Sequence, residues 1–280
     1  MIRVGFSSRA FIGMNENDAK AATKVWALTI AKERQVNVDP VAKVFRSAGE
    51  IENSFREKAV DCVTMSAVEY FALDPQLQPQ VIVSLETEPS EEYLLLVQKD
   101  SGISDLSGLR GKAVNLHDSF RTNLALAWLD TIFMQQGYGP ANKFAAKVQP
   151  FPKPSSAVLP VFFRQADACL VSSGAFGTMV EMNPQLGKQL RLLAQSPRYL
   201  SAFLGFRRDL PPGIRIPFQS AVYDLHKSAA GAQIIALFQG TGGLVEKPLS
   251  VLDNARELLS QHARLLRKQS AGSTGDSTTP

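Results

Sequence analysis

Short apolar runs along the chain alternate with stretches in which apolar residues recur every three to four positions, the signature of strands alternating with helices. Ile2-Arg3-Val4-Gly5-Phe6 predicts a strand, and the loop Ser7-Ser8-Arg9-Ala10-Phe11 leads to a helix over 18–34 with Ala22, Val25, Trp26, Thr29 and Ile30 on one face. A strand follows at 38–45. Ser47-Ala48-Gly49-Glu50 has the S-x-x-E form of a capping box and opens a helix to about residue 58. The buried strand 60–65 ends at Ser66-Ala67-Val68-Glu69, a second box of the same form. Another strand at 80–85, an acidic turn over 86–92 and an extended run over 93–97 complete the first third.

The second part repeats the alternation. It predicts a strand at 113–116, a helix over 119–136 closed by Gly137 and Gly139, a strand at 146–151, a helix over 155–165, a strand at 168–171 and a helix over 173–182. Gly137 suits the left-handed residue that ends a helix. Strands at 190–194 and 202–207 precede helices at 214–228, 229–238 and 249–267, and the Ser/Thr/Gly-rich residues 271–280 predict a disordered tail. Strand-helix alternation of this kind gives right-handed βαβ units and an α/β fold with mostly parallel sheets. Ligands then bind beyond the carboxyl ends of the strands, where Ser7, Ser8 and Ser66 fall.

Asp61-Cys62-Val63-Thr64-Met65-Ser66-Ala67 and Asp167-Ala168-Cys169-Leu170-Val171-Ser172-Ser173 echo each other, each running from an aspartate through a buried strand to a serine at a helix start. The echo fits two lobes of similar construction, each aiming a hydroxyl-bearing helix terminus at a shared cleft. It also fits chance similarity between two buried strands.

Composition narrows the picture. With 280 residues and 45% apolar content the chain can bury a large core, and its length favours two lobes. No apolar run reaches the length of a transmembrane helix. Met1 leads straight into the first strand, so no signal peptide is expected here, which leaves a cytosolic protein or one whose leader has been removed. A formal charge of +4, spread along the chain except for the basic cluster at 264–268, favours small anionic ligands over nucleic acid. Cys62 and Cys169 lie in separate apolar runs and read as buried thiols, and His117, His226 and His262 have no metal-site spacing. No metal and no cofactor is expected. G-x-S-x-G, the P-loop, G-x-G-x-x-G and H-E-x-x-H are all absent. Gly108-Leu109-Arg110-Gly111-Lys112 precedes its strand, whereas a P-loop follows one, so it reads as a turn. His117, Asp118 and Ser119 are consecutive and cannot align as a catalytic triad.

The stretch Ala113 to Thr122 carries the clearest chemistry. A strand that runs into a helix start points unpaired N–H groups at one spot, and Ser119, Arg121 and Thr122 add two hydroxyls and a guanidinium there. Either this is an anion site, or Asp118 or Ser119 is only a cap and Arg121 a solvated charge.

Four segments decide the family resemblance: Arg3-Val4-Gly5; Ala59-Val60-Asp61 with its strand and Ser66; Val97-Gln98-Lys99-Asp100-Ser101-Gly102-Ile103 followed by Asp105-Leu106-Ser107-Gly108-Leu109-Arg110-Gly111-Lys112; and Ala166-Asp167-Ala168 leading to Val171-Ser172-Ser173-Gly174-Ala175. In order and spacing they resemble the substrate-binding proteins of phosphate/phosphonate ABC transporters, the PhnD-like branch of the type 2 periplasmic-binding-protein fold. The resemblance implies two α/β lobes joined by two crossing strands, with hinge closure on a ligand in the interlobe cleft. Lobe one would comprise 1–88 and 195–270, and lobe two 89–194. The implied ligand site draws Ser7, Ser8, Arg9 and Ser66 from lobe one and Tyr93, Ser119, Arg121, Thr122, Ser172 and Ser173 from lobe two. Where the family often has an aspartate before Ser173-Gly174 this chain has Ser172, and where a histidine often precedes the helix near Ser155 it has Pro154 beside Lys153. The missing aspartate and the added Arg121 favour a purely anionic ligand over an aminophosphonate.

The expected function is a non-catalytic, monomeric, periplasmic solute receptor for phosphate, phosphite or a phosphonate, partnered by an ABC permease and without nucleic-acid partners. The rival is a cytosolic enzyme on the same fold, such as a chorismate dehydratase-like lyase, for which His117 with Asp118 is the only acid/base pair in view. A third reading is an orphan receptor or sensor that has lost its transporter.

Overall fold

The structure is a computed structural model that describes residues 1–12, 16–85, 90–237 and 242–273. The chain divides into two compact units, Met1–Ser90 with Leu200–Leu252 and Glu91–Tyr199 with Asp253–Pro280.

The first unit begins with β1 (Val4–Ser7), α1 (Glu16–Arg34), β2 (Lys43–Phe45), α2 (Ala48–Arg56), β3 (Cys62–Ser66), α3 (Ala67–Ala72) and β4 (Val81–Leu85). Strand β1 lies between β2 and β3, parallel to both. Gly5 is required there, because a Cβ at this position would run into the Phe45 ring. The Trp26 ring of α1 packs edge-on against Phe6, 5.3 Å between centroids, and Trp26 and Ile30 of the expected face reach the core with Ala27, whereas Val25, expected on that face, is exposed. The strand expected over 38–45 is shorter than its apolar pattern. Pro40 offers no N–H to a ladder, and Val38 makes only an isolated bridge to Ile2. Both serines cap their helices, Ser47 Oγ accepting from Glu50 N at 3.3 Å and Ser66 Oγ from Glu69 N at 3.2 Å, but the full box closes only at Ser66, because Glu50 accepts from Arg46 N instead of Ser47 N.

The second unit contains β5 (Tyr93–Gln98), β6 (Ala113–His117), α4 (Ala125–Gln135), α5 (Ala141–Phe144), β7 (Lys147–Phe151), α6 (Pro154–Phe162), β8 (Ala168–Ser172), α7 (Ser173–Met182), α8 (Gln185–Gln189) and β9 (Leu190–Gln195). Its sheet runs β7-β6-β8-β5-β9, with β6 parallel to β7 and β8, and β5 antiparallel to β8 and β9. Gly137 ends α4 at φ +78°, where the amides of Gly137 and Tyr138 donate to Met134 O and Phe133 O.

The chain then returns to the first unit through β10 (Ala202–Phe206), α9 (Pro212–Tyr223), α10 (Ala229–Leu237) and β11 (Leu244–Lys247), before α11 (Asp253–Ser273). The first sheet has the order β11-β4-β10-β3-β1-β2. Each sheet therefore has a parallel part built by βαβ crossovers and an antiparallel part, and helices flank both. Helix α11 packs on α4 of the second unit, where His262 Nε2 lies 3.2 Å from Asp130 Oδ2. The expectation over 195–270 had placed it with lobe one. Residues 271–273 continue this helix, while 274–280 of the expected tail, 86–89 of the acidic turn and Phe238 lie outside the described residues.

The aspartate echo has one structural meaning in both units. Asp61 Oδ2 accepts from Arg3 N at 2.8 Å, and Asp167 Oδ2 accepts from Ala113 N at 2.8 Å. Each aspartate immediately precedes a buried strand and satisfies an amide at the start of its parallel neighbour. Each also has a cation beside it: Arg3 Nη2 at 2.8 Å from Asp61 and Lys112 Nζ at 3.3 Å from Asp167. Burial pushes the Asp61 carboxyl up, but the hydrogen bonds from Arg3, joined by one from Arg207, outweigh it and hold the group below the usual carboxylate range.

Candidate functional site

The second unit concentrates the chemistry around the start of β5. Glu91 exchanges two backbone hydrogen bonds with Tyr199, both 2.9 Å, and Ser173 N donates to Glu92 O at 2.8 Å. Tyr93 N donates to Ser196 Oγ at 2.8 Å, and Tyr93 pairs with Ser172 across the β5–β8 ladder. The chain entering β5 is thus pinned to the end of β8, the first residue of α7 and the segment after β9. The fully buried Tyr93 sends its hydroxyl to Arg121 O at 3.3 Å, which ties the loop after β6 to the same place. Tyr93, Arg121, Ser172 and Ser173, expected together from the family resemblance, are therefore joined by β5.

Arg121 forms an ion pair with Glu91. The two side chains are only 20% and 9% exposed, so this pair is not a solvated surface contact. Glu91 Oε2 faces the first turn of α7, 3.8 Å from where a Cβ on Gly174 would stand. Sequence reasoning missed Glu91. It lay within an acidic run read as a turn, and its partner is thirty positions away, so no local periodicity marks it as inward-facing.

The helix expected to start at Ser119 begins later. Residues Phe120–Thr122 form a 3-10 turn, and α4 starts at Ala125. Thr122 Oγ1 accepts from Ser119 N at 2.8 Å, donates to His117 O at 2.7 Å and lies 3.2 Å from Ser119 Oγ, while Asn123 Nδ2 donates to Phe120 O at 2.6 Å. These side chains compete with the α-helical ladder and close the loop on itself. Ser119 and Thr122 are brought together, both buried, with their polar atoms largely engaged within the loop. His117, at the end of β6, is 4% exposed, and Nδ1 has no hydrogen-bond partner among the described residues. Burial lowers its pKa against the opposing pull of Asp118, which favours the neutral ring.

In the first unit two of the four predicted residues, Ser7 and Ser66, gather around a carboxylate. Ser7 Oγ donates to Glu69 Oε1 at 2.6 Å, and Ser66 Oγ donates to Glu69 Oε2 at 2.7 Å, with Ser66 N on the same oxygen at 2.8 Å. Each hydroxyl has one proton, and both protons go to Glu69. Ser7 and Ser66 are fully buried. Ser8 and Arg9 belong to the half-buried 3-10 turn Ser8–Phe11, whose first amide to be capped, Arg9 N, donates to Ser7 Oγ at 3.1 Å. Glu69 could be read from sequence as the acidic partner of a capping box, but not as the residue that gathers a serine from β1.

Two mixed α/β sheets, each flanked by helices and built from a chain that leaves the first unit and returns to it, define the periplasmic-binding-protein fold. Solved structures agree. The chain is similar, at 16% identity and a TM-score of 0.63, to a binding protein component of an ABC phosphonate transporter from Pseudomonas aeruginosa, with 94% of this chain and 87% of that one covered. It is similar to PhnD1 from Prochlorococcus marinus in complex with methylphosphonate at 17% identity and a TM-score of 0.61, covering 92% and 96%. The aliphatic sulphonate binding protein SsuA from Escherichia coli follows at 13% identity and a TM-score of 0.50, covering 96% and 92%. Among curated protein sequences, none matches. The profile of the periplasmic substrate-binding proteins of phosphonate ABC transporters matches residues 13–247, and the chain belongs to that family. The family consists of transport receptors in the periplasm, not enzymes, so the lyase alternative is set aside. No helix among the described residues is long and apolar enough to cross a membrane.

Proposed function

We propose that this protein is the receptor that delivers a small oxyanion, namely phosphate, phosphite or a phosphonate, to an ABC permease, and that it works as a monomer closing on its ligand in an interlobe cleft. The observation that supports this reading best is the placing of Arg121. It is a half-buried guanidinium, paired with Glu91, whose backbone is tied down by Tyr93 and which stands in the chain between the mutually bonded Ser119 and Thr122. In this reading Arg121 makes charge-assisted hydrogen bonds to the anion, Ser119, Thr122, Ser172 and Ser173 line its surroundings, and Tyr93 holds Arg121 in place. From the first unit, Ser8 and Arg9 approach the ligand while Ser7 and Ser66 brace Glu69 behind them. Calorimetric titration with phosphate, phosphite and methylphosphonate tests the proposal. Arg121→Ala is expected to weaken the tightest of the three at least about tenfold, equivalent to ~1.4 kcal/mol. Unchanged affinity would remove Arg121 from the site, and no binding by the unaltered protein would remove the oxyanion reading.

A further inference from the structure

A groove of about 420 Å³ runs between the edge strand β2 and helix α2, wholly inside the first unit and lined by none of the residues assigned above to the oxyanion. Its buried lining residues are Phe45 and Ser54, each 6% exposed. The helical side is a stripe of Glu50, Asn53, Ser54 and Glu57, whose i, i+3, i+4, i+7 spacing sets them on one face of α2 and its C-cap. Two features of this stripe have no counterpart within the fold. The Ser54 hydroxyl is buried and has no hydrogen-bond partner among the described residues, although a hydroxyl that gives up water on burial ordinarily gains a partner in exchange. Glu57 is the C-cap of α2, where the negative end of the helix dipole disfavours a carboxylate. The cations on either side of it are engaged elsewhere, Arg56 with Glu52 and Lys58 with Asp209, both at 2.9 Å.

The lining sets the sign and the hydrogen-bonding character of what it can hold. Glu50 and Glu57 outweigh Lys43, the cation contributed by β2, so the lining is negative overall. Glu50 Oε2 already accepts from Arg46 N at 2.8 Å, which leaves Glu57, at the C-terminal end of the helix, as the less committed carboxylate. An ionised carboxylate only accepts, and the hydroxyl of Ser54 and the amide oxygen of Asn53 can accept as well. A primary ammonium has three donors and a full positive charge, so it answers all three acceptors and the helix dipole at once. The Phe45 ring adds an apolar surface for a carbon stem. We infer that the groove between β2 and α2 binds a small organic cation, a primary ammonium carried on an unbranched carbon stem. The ammonium donates to Glu57, Asn53 Oδ1 and Ser54 Oγ, and the stem lies along Phe45. A carboxylate of the same length meets two glutamates, and the matching alcohol leaves the Glu57 charge uncompensated, so both are rejected.

Amide proton–nitrogen correlation spectra of the full chain, titrated at pH 7 with n-hexylammonium, n-hexanol or hexanoate, test this in the unaltered protein, Glu57→Gln and Ser54→Ala. In the unaltered protein n-hexylammonium is expected to shift the amides of β2 and α2 saturably, with half-saturation below about 5 mM and at least about tenfold below that of the alcohol or the carboxylate. Glu57→Gln changes an exposed side chain, keeps its shape and removes its charge, and should weaken the ammonium at least about fivefold. Ser54→Ala should weaken it about threefold or more while raising the melting midpoint of the protein without amine, because a buried unpartnered hydroxyl is removed. No saturable shift with n-hexylammonium would overturn the inference. So would equal half-saturation by n-hexanol, which would make the groove an apolar surface only, or an unchanged affinity in Glu57→Gln. Should Ser54→Ala fail to fold, as judged by its melting profile, Glu57→Gln decides the matter alone.

Discussion

Replacing Asp61 with alanine removes the acceptor at the centre of the first unit's charged cluster. Four hydrogen bonds end on this carboxylate: Arg3 N at 2.8 Å, Arg3 Nε at 3.0 Å, Arg3 Nη2 at 2.8 Å and Arg207 Nη2 at 3.2 Å. The two cations are not equivalent. Arg3 is 39% exposed and can turn to water when its partner goes, so little of the cost of losing Asp61 falls on its side chain. Arg207 is 8% exposed and stays behind with Val60 O and the half-exposed Asp209 as partners. What is lost is the acceptor of Arg207 Nη2 and of the Arg3 amide, at about 1–3 kcal/mol each and ~3–5 kcal/mol together. Asp61→Ala should therefore lose ~3–5 kcal/mol of stability, and Arg3→Ala less, because the buried carboxylate then keeps Arg207 and the backbone amide of residue 3. In urea, with a slope of about 3 kcal/mol per molar, the first loss lowers the unfolding midpoint by roughly 1–2 M. The pH dependence has a definite sign. Because the folded Asp61 carboxyl lies below the usual range, its contribution is complete above the unfolded carboxylate value of about 3.9 and disappears as pH falls through the folded value. Below that window the unaltered protein and Asp61→Ala should converge. A loss smaller than ~1 kcal/mol for Asp61→Ala, or equal losses for Asp61→Ala and Arg3→Ala, would refute the reasoning.

Burial raises the thiol pKa of both Cys62 and Cys169, and both side chains are fully inaccessible. A thiol reagent at pH 8 should label neither in the native protein and both in denaturant, and fast native labelling of either would contradict the packing described. Gly5→Ala should destabilise by about 1–3 kcal/mol in the same urea assay, because the added methyl meets the Phe45 ring on the neighbouring strand; a neutral effect would mean that β2 yields at no cost.

Much of the layout was legible because its signals are local. The serines at 47 and 66 marked helix starts through the residue three positions on, and Gly137 marked a helix end through its own backbone freedom. Features that depend on distant partners were not legible. Strand β11 is four residues of mixed character at a sheet edge, and α5 and α8 are too short to show a periodicity. The helix at 249–267 was expected as an element, but nothing local says which unit it covers. The delayed start of α4 came from Thr122 and Asn123 bonding back to their own loop, a competition that apolar spacing does not register. In the site, the hydroxyls and Arg121 stood out because their residue types suit anions. The carboxylates Glu69 and Glu91 did not, because an acidic residue is ordinarily a solvated one, and only the tertiary structure brings Ser7 to the first and Arg121 to the second.

Strand β10 occupies an inner position in the first sheet, with β3 on one side and β4 on the other. It is also made after the whole of the second sheet, whose strands lie between Tyr93 and Gln195. During synthesis, the strands of the second sheet are therefore all available before the first can be completed. Until Ala202–Phe206 emerges, β4 has no neighbour to join it to β3, and the first unit remains two unconnected pieces with open edges. The earliest part of the chain to be translated is thus the last to become a finished sheet. A stop or break in the chain before residue 202 would leave the first unit, rather than the second, without its central ladder.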